Sequence, residues 1–72
     1  MLLTNMDTTS TLVAVNGQAR QLPRTTTVAQ LLAQLDTAGK RIAVERNGEI
    51  VPKSLHASTE LTGGDELEIV IA

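Results

Sequence analysis

Apolar and polar positions change their rhythm three times along the chain. Thr11-Leu12-Val13-Ala14-Val15 is a β-branched and apolar run that meets Asn16-Gly17, a dipeptide suited to the two positive-φ positions of a type I′ hairpin turn. Gln18 to Leu22 is predicted as the returning strand. Its mixed polarity and the following Pro23 suit a sheet edge, where a missing N–H breaks no ladder bond. The period then becomes helical: Val28, Leu31, Leu32 and Leu35 recur on one face, while Gln30, Gln34 and Asp36 lie away from its centre. Thr27-Val28-Ala29-Gln30 has the form of a capping box, so a helix of roughly ten residues is predicted from there. Gly39 is the expected C′ stop, with Lys40 and Arg41 placing positive charge beyond the helix's negative end.

The strand pattern returns in Ile42-Ala43-Val44-Glu45-Arg46, a second Asn-Gly at Asn47-Gly48, and Glu49-Ile50-Val51 closed by Pro52. Residues 53–62 are polar apart from Leu55 and Leu61, and are predicted as a loop with one helical turn pinned by those two leucines. Thr62-Gly63-Gly64-Asp65 turns into a final strand, in which Leu67, Ile69 and Ile71 share one face and Glu68, Val70 and Ala72 the other. The diglycine is assigned to this turn, because it has neither a Walker pattern around it nor a free carboxylate.

The element order β-β-α-β-β-loop-β, with one helix to cover a sheet, predicts an α+β fold. The last strand is the most apolar and should be central. If it lies parallel to the first, two hairpins flank that pair and the helix packs across one face. This is the β-grasp, or ubiquitin-like, arrangement, a mixed sheet of four to five strands. A ferredoxin-like sheet would need a second long helix, which residues 53–62 are too short and polar to supply. Residues 1–10 are Thr-rich and aperiodic and are predicted as a disordered leader, with the domain spanning 11–72.

Composition narrows the function. A chain of 72 residues buries only ~60% of its unfolded surface, enough for one core but not for a deep substrate cavity of ~300–1,000 Å³. An autonomous enzyme is not expected. Absence of cysteine excludes thiol nucleophiles, thiolate metal sites and disulfides. The net charge of −2 and the absence of Phe, Tyr and Trp argue against nucleic acid. No secretion signal or membrane-length apolar run is present, so a cytoplasmic location and no membrane partner are expected.

Few side chains suggest chemistry. His56 is the single histidine; without partners at metal spacing it is expected to be a surface or loop residue, and no metal site is expected. Glu66 and Glu68 project from one strand face, more as a solvated or partner-facing pair than an acid/base pair. An exposed apolar spot at Val70 and Ala72, with Glu68 beside it, is the candidate docking surface near the end of the last strand.

Arg46-Asn47-Gly48-Glu49-Ile50-Val51-Pro52-Lys53-Ser54, followed by Gly64-Asp65-Glu66-Leu67-Glu68-Ile69-Val70, resembles the thiamine sulfur-carrier (ThiS) family. This family is related to the molybdopterin-synthase small subunit. The resemblance spans Thr11 to Ala72 and implies a carrier, not an enzyme, whose reactive group is a C-terminal Gly-Gly. It implies three partners: a ThiF-like adenylyltransferase that uses ATP to activate the terminal glycine, a sulfur-donating persulfide protein, and a ThiG-like thiazole synthase that takes sulfur from the resulting thiocarboxylate. No bound cofactor is implied. The expected reactive glycine would lie beyond Ala72, so no catalytic residue is carried onto this chain. The alternatives are a molybdopterin-type carrier and a ubiquitin-like interaction module without acyl chemistry.

Overall fold

Both Asn-Gly dipeptides form the turns their sequence predicts. In the computed structural model, which describes residues 9–37 and 40–71, Asn16 and Gly17 have φ of 50° and 82°, and Asn47 and Gly48 have 53° and 86°. These are the paired left-handed positions of a type I′ turn. The first turn joins β1 (Ser10–Val15) to β2 (Gln18–Pro23), and the second joins β3 (Ile42–Arg46) to β4 (Glu49–Ile50). One helix, α1 (Val28–Gln34), lies between the hairpins, and β5 (Glu66–Ile71) closes the sheet.

The sheet order is β2-β1-β5-β3-β4. β5 is central, parallel to β1 and antiparallel to β3, and β2, which carries Pro23, is an edge. This is a β-grasp fold. Its core consists of Val13 and Val15 from β1, Leu22 from β2, Val28, Leu31 and Leu32 from α1, Val44 from β3, Leu61 from the loop before β5, and Leu67 and Ile69 from β5. Side-chain parity places all of the strand members on the face that α1 covers. Ile71 shares that parity yet is half exposed, because it lies two residue pairs past Val44–Ile69, beside an Ile42 that is itself only partly covered.

The start of α1 is fully bonded. Thr27 Oγ1 accepts from the Gln30 N–H at 3.2 Å, and the Thr27 N–H donates to Gln30 Oε1 at 2.9 Å, completing the predicted capping box. The loop between β4 and β5 satisfies the other free donors of the first turn: the Val28 N–H reaches Thr59 O, and the Ala29 N–H reaches His56 O, both at 2.9 Å.

The far end of α1 departs from expectation. The helix stops at Gln34 with Asp36 in the left-handed region, φ 57°. The Asp36 N–H donates to Ala33 O and the Thr37 N–H to Leu32 O, the bond pair of a Schellman motif. The buried Thr37 adds a hydroxyl bond to Leu32 O at 2.9 Å. Asp36 thus does what the sequence assigned to Gly39, which lies outside the described residues, and Lys40 and Arg41 fall well past the helix end.

Two other boundaries shift. Ser10 opens β1 opposite Pro23, and Thr9 O accepts from the Arg24 N–H at 2.9 Å. Of the expected leader, residues 1–8 lie outside the described residues. The segment after β4 contains the expected short turn, a 3₁₀ turn at Lys53–Leu55. It is anchored by buried Leu61 and His56, not by Leu55, which is 48% exposed.

Candidate functional site

The centre of interest is β5, and its two ends differ in how they are held. At its start, Asp65 is 6% exposed. Its carboxylate accepts from Arg46 Nε at 2.8 Å, from the Thr62 N–H at 2.8 Å and from Asn47 Nδ2 at 3.1 Å. Burial by itself pushes the Asp65 carboxyl up. The bonds from Thr62, Asn47 and Arg46, with the Arg46 charge, outweigh that and hold it below its ordinary value. Arg46 also reaches Thr62 Oγ1 at 3.2 Å. Arg46 is therefore committed within the domain, not displayed to a partner. The preceding glycines serve this junction: Gly64 sits at φ +89°, and a Cβ on Gly63 would stand 3.1 Å from Thr11 Oγ1.

The turn asparagines have a second use. The Asn47 N–H donates to Glu66 O at 2.8 Å, and Asn47 Oδ1 accepts from the Glu66 N–H at 2.9 Å. Asn16 does the same farther along β5: Asn16 Oδ1 accepts from the Ile69 N–H at 2.8 Å, and Asn16 Nδ2 donates to Ile69 O at 3.2 Å. The backbone pairing of β1 with β5 covers Ala14–Glu66 and Val15–Leu67, so the Asn16 side chain adds one further rung. Sequence reasoning missed this role. The turn already accounts for each asparagine, and no local signal marks a bond to a residue 53 positions away.

Beyond Ile69 the strand is exposed. Val70 is 61% exposed and Ile71 50%. Register places Val70 opposite Ala43 and Glu68 opposite Glu45. Leu12, Ala14, Ala43, Glu66, Glu68, Val70 and Ile50 share the sheet face that α1 leaves open, and Leu12 and Ile50 are 58% and 62% exposed. Of the residues predicted for docking, Val70 and Glu68 lie together on this face, and Ala72 lies outside the described residues. Like charges placed directly opposite each other, as Glu45 and Glu68 are, destabilise a sheet, so the face gains from a cationic partner. A shallow hollow of about 340 Å³ adjoins Glu66 and Glu68. Among the described residues, no histidine, lysine or arginine lines it.

His56 is in the loop, as expected, but not at the surface: it is 8% exposed and its Nε2 donates to Val51 O at 3.0 Å. The loop folds back so that its backbone can cap α1, and this draws the ring under the chain. The domain also forms a half-open groove of about 580 Å³ on the helix side, open to solvent and not the deep cavity that its small size argued against. The early end of α1 leaves this opening between the helix and the start of β3. Among the described residues, no group of three or more His, Cys, Asp or Glu is placed to hold a metal, and no helix is long and apolar enough to cross a membrane.

The fold corresponds to known proteins. The ThiS family matches residues 13–72. The chain belongs to the ThiS family. It is similar to the crystal structure of a thiamine biosynthesis protein (ThiS) from Geobacter metallireducens, with a TM-score of 0.73 and 27% identity over 82% of this chain and 90% of that one. It is 45% identical over 58 residues to a thiazole synthase of Paramagnetospirillum magneticum, covering 81% of this chain and 18% of that protein. The chain thus spans less than a fifth of that relative's length. An uncharacterized protein, ycf40, of Pyropia yezoensis is 33% identical over 58 residues, 81% of this chain and 82% of that one.

Proposed function

We propose that this ThiS-family chain is a sulfur carrier for thiazole formation in thiamine biosynthesis, a protein substrate of its partners rather than an enzyme. The family match over residues 13–72 carries this reading. The similarity to a segment of a longer chain named thiazole synthase supports a synthase of that kind as the acceptor of sulfur.

In this role the domain presents a terminal carboxylate and does no chemistry itself. A carboxylate is a poor electrophile. A ThiF-like adenylyltransferase with ATP converts a terminal glycine beyond Ala72 to an acyl adenylate and releases pyrophosphate. The outer sulfur of a persulfide protein then displaces AMP to give an acyl disulfide. A thiol reductant cleaves its S–S bond, leaving the thiocarboxylate and a disulfide between donor and reductant, and the thiocarboxylate delivers sulfur to the synthase. These steps take place in the cytoplasm. The Asp65 network and the two asparagine clamps hold β5 rigid, so the segment that follows it starts from a fixed point. Glu68, Val70 and their neighbours on the open sheet face form the docking surface, apolar at Val70, Leu12 and Ile50 and acidic between them, suited to a partner with an apolar centre and a basic rim.

The test is mass spectrometry on the chain extended by Gly-Gly, incubated with the adenylyltransferase, ATP, a persulfide donor and a thiol reductant. The expected result is exchange of one terminal oxygen for sulfur, dependent on ATP. An unmodified product would end the proposal. Transfer to a molybdopterin synthase in place of thiazole synthase would reassign the pathway and leave the carrier role intact.

A further inference from the structure

We propose that the groove on the helix side is a second docking site, which takes an acidic, aliphatic peptide segment of a partner protein. Its floor is small and apolar, from Ala29, Leu32 and Ala33 of α1 and Ile42 of β3. Three cations, Lys40, Arg41 and Lys53, line it, all exposed. None of them forms an ion pair among the described residues. The chain has a net charge of −2 with six cationic side chains. Half of those cations stand around this one groove, and no acidic residue among the described residues lines it. Cations thus gather around this groove, while Glu45, Glu66 and Glu68 lie on the open sheet face.

The way these groups are distributed selects a peptide over a compact anion. The cations come from two separate segments, Lys40 and Arg41 from the approach to β3 and Lys53 from the 3₁₀ turn. The buried polar groups beneath them are already used, His56 Nε2 by Val51 O and the Thr37 hydroxyl by Leu32 O. No buried donor remains aimed into the groove to fix a phosphate. Spread charge around an apolar floor suits an extended segment with aliphatic side chains between carboxylates. The groove also lies at the end of the sheet where β5 finishes, since Ile42 on its floor pairs with Ile71.

The experiment is an NMR titration of the ¹⁵N-labelled chain with the peptide acetyl-Glu-Glu-Leu-Asp-Glu-Ile-Glu-amide. Parallel titrations use its Gln/Asn counterpart and inorganic phosphate. Saturable shifts are expected at the amides of Ala29, Ala33, Ile42 and Lys53, weakening as salt rises. The neutral peptide should bind about tenfold or more weakly. Arg41→Glu with Lys53→Glu should produce a similar loss, and Arg41→Ala with Lys53→Ala a smaller one. Both pairs are at exposed positions, and the peptide-free spectra report whether the fold is kept. The proposal is overturned by the absence of saturable shifts, by equal binding of the neutral peptide or of the charge-reversed variant, or by shifts centred on Leu12 and Val70. Phosphate alone reproducing the full pattern would also overturn it, in favour of a small-anion site.

Discussion

The two ends of β5 are built to opposite specifications. At Asp65 and Glu66 almost every polar atom has a partner: a buried carboxylate with three donors, an arginine drawn inward, and an asparagine bonded to both the N–H and the C=O of Glu66. At Val70 and Ile71 the side chains stand in solvent, though the backbone still pairs with β3. Asn16 marks the border, grasping Ile69 just before the exposed tip. The difference separates a fixed base of the strand from a tip available for contact. The base is fixed by buried polar bonds, whose direction is specific, and the tip is left available for contact.

The sharpest way to break this contrast is Asp65→Ala. It leaves the Arg46 guanidinium, the Thr62 N–H and the Asn47 amide without their acceptor, and it should cost about 2–3 kcal/mol. For a domain of this size that lowers Tm by roughly 10–20 °C, measurable by thermal unfolding. Asn16 comes next. Asn16→Gly keeps the turn's positive φ but removes the clamp, and should cost about 1 kcal/mol. Asn16→Ala adds left-handed strain and should cost about 1–3 kcal/mol. In both variants, faster exchange of the Ile69 amide would show that the clamp, not only the turn, was lost.

Acid sharpens the same point. The folded-state Asp65 carboxyl lies below its ordinary value. Its contribution is thus fully present above the unfolded carboxylate pKa of about 3.9 and disappears as pH falls through the lower folded value. Denaturant midpoints should therefore drop on acidification below about pH 4, and Asp65→Asn should flatten that dependence. At the tip the expected stability effect is the smallest. Val70→Glu should change stability by no more than about 0.5 kcal/mol, yet weaken partner binding by an order of magnitude or more if the open face is the docking surface. A Val70 variant that unfolds the domain would contradict the contrast between the ends.

Much of the fold was legible from the sequence because its signals are local. Each Asn-Gly set a turn, Thr27 and Gln30 set a helix start, and Pro23 set an edge. The parity of Leu67 and Ile69 against Glu66 and Glu68 set the two faces of the central strand. Val70 and Glu68 were placed on the open face by the same parity. What sequence did not disclose depends on distant partners. The Asn16 clamp joins the two ends of the chain. The burial of Asp65 depends on Arg46 and Asn47 arriving from another hairpin. His56 is buried because its loop caps a helix that comes earlier in sequence. Asp36 replaced Gly39 as the helix stop because Thr37 could bond back to Leu32, an arrangement that residue type alone does not announce.

The most direct test of the account is an NMR titration of the ¹⁵N-labelled chain with the ThiF-like adenylyltransferase proposed as its partner. The account predicts shifts or broadening concentrated at Leu12, Ala43, Glu68 and Val70, with Asp65 and Asn47 little affected. A complex that leaves those open-face amides silent would contradict it.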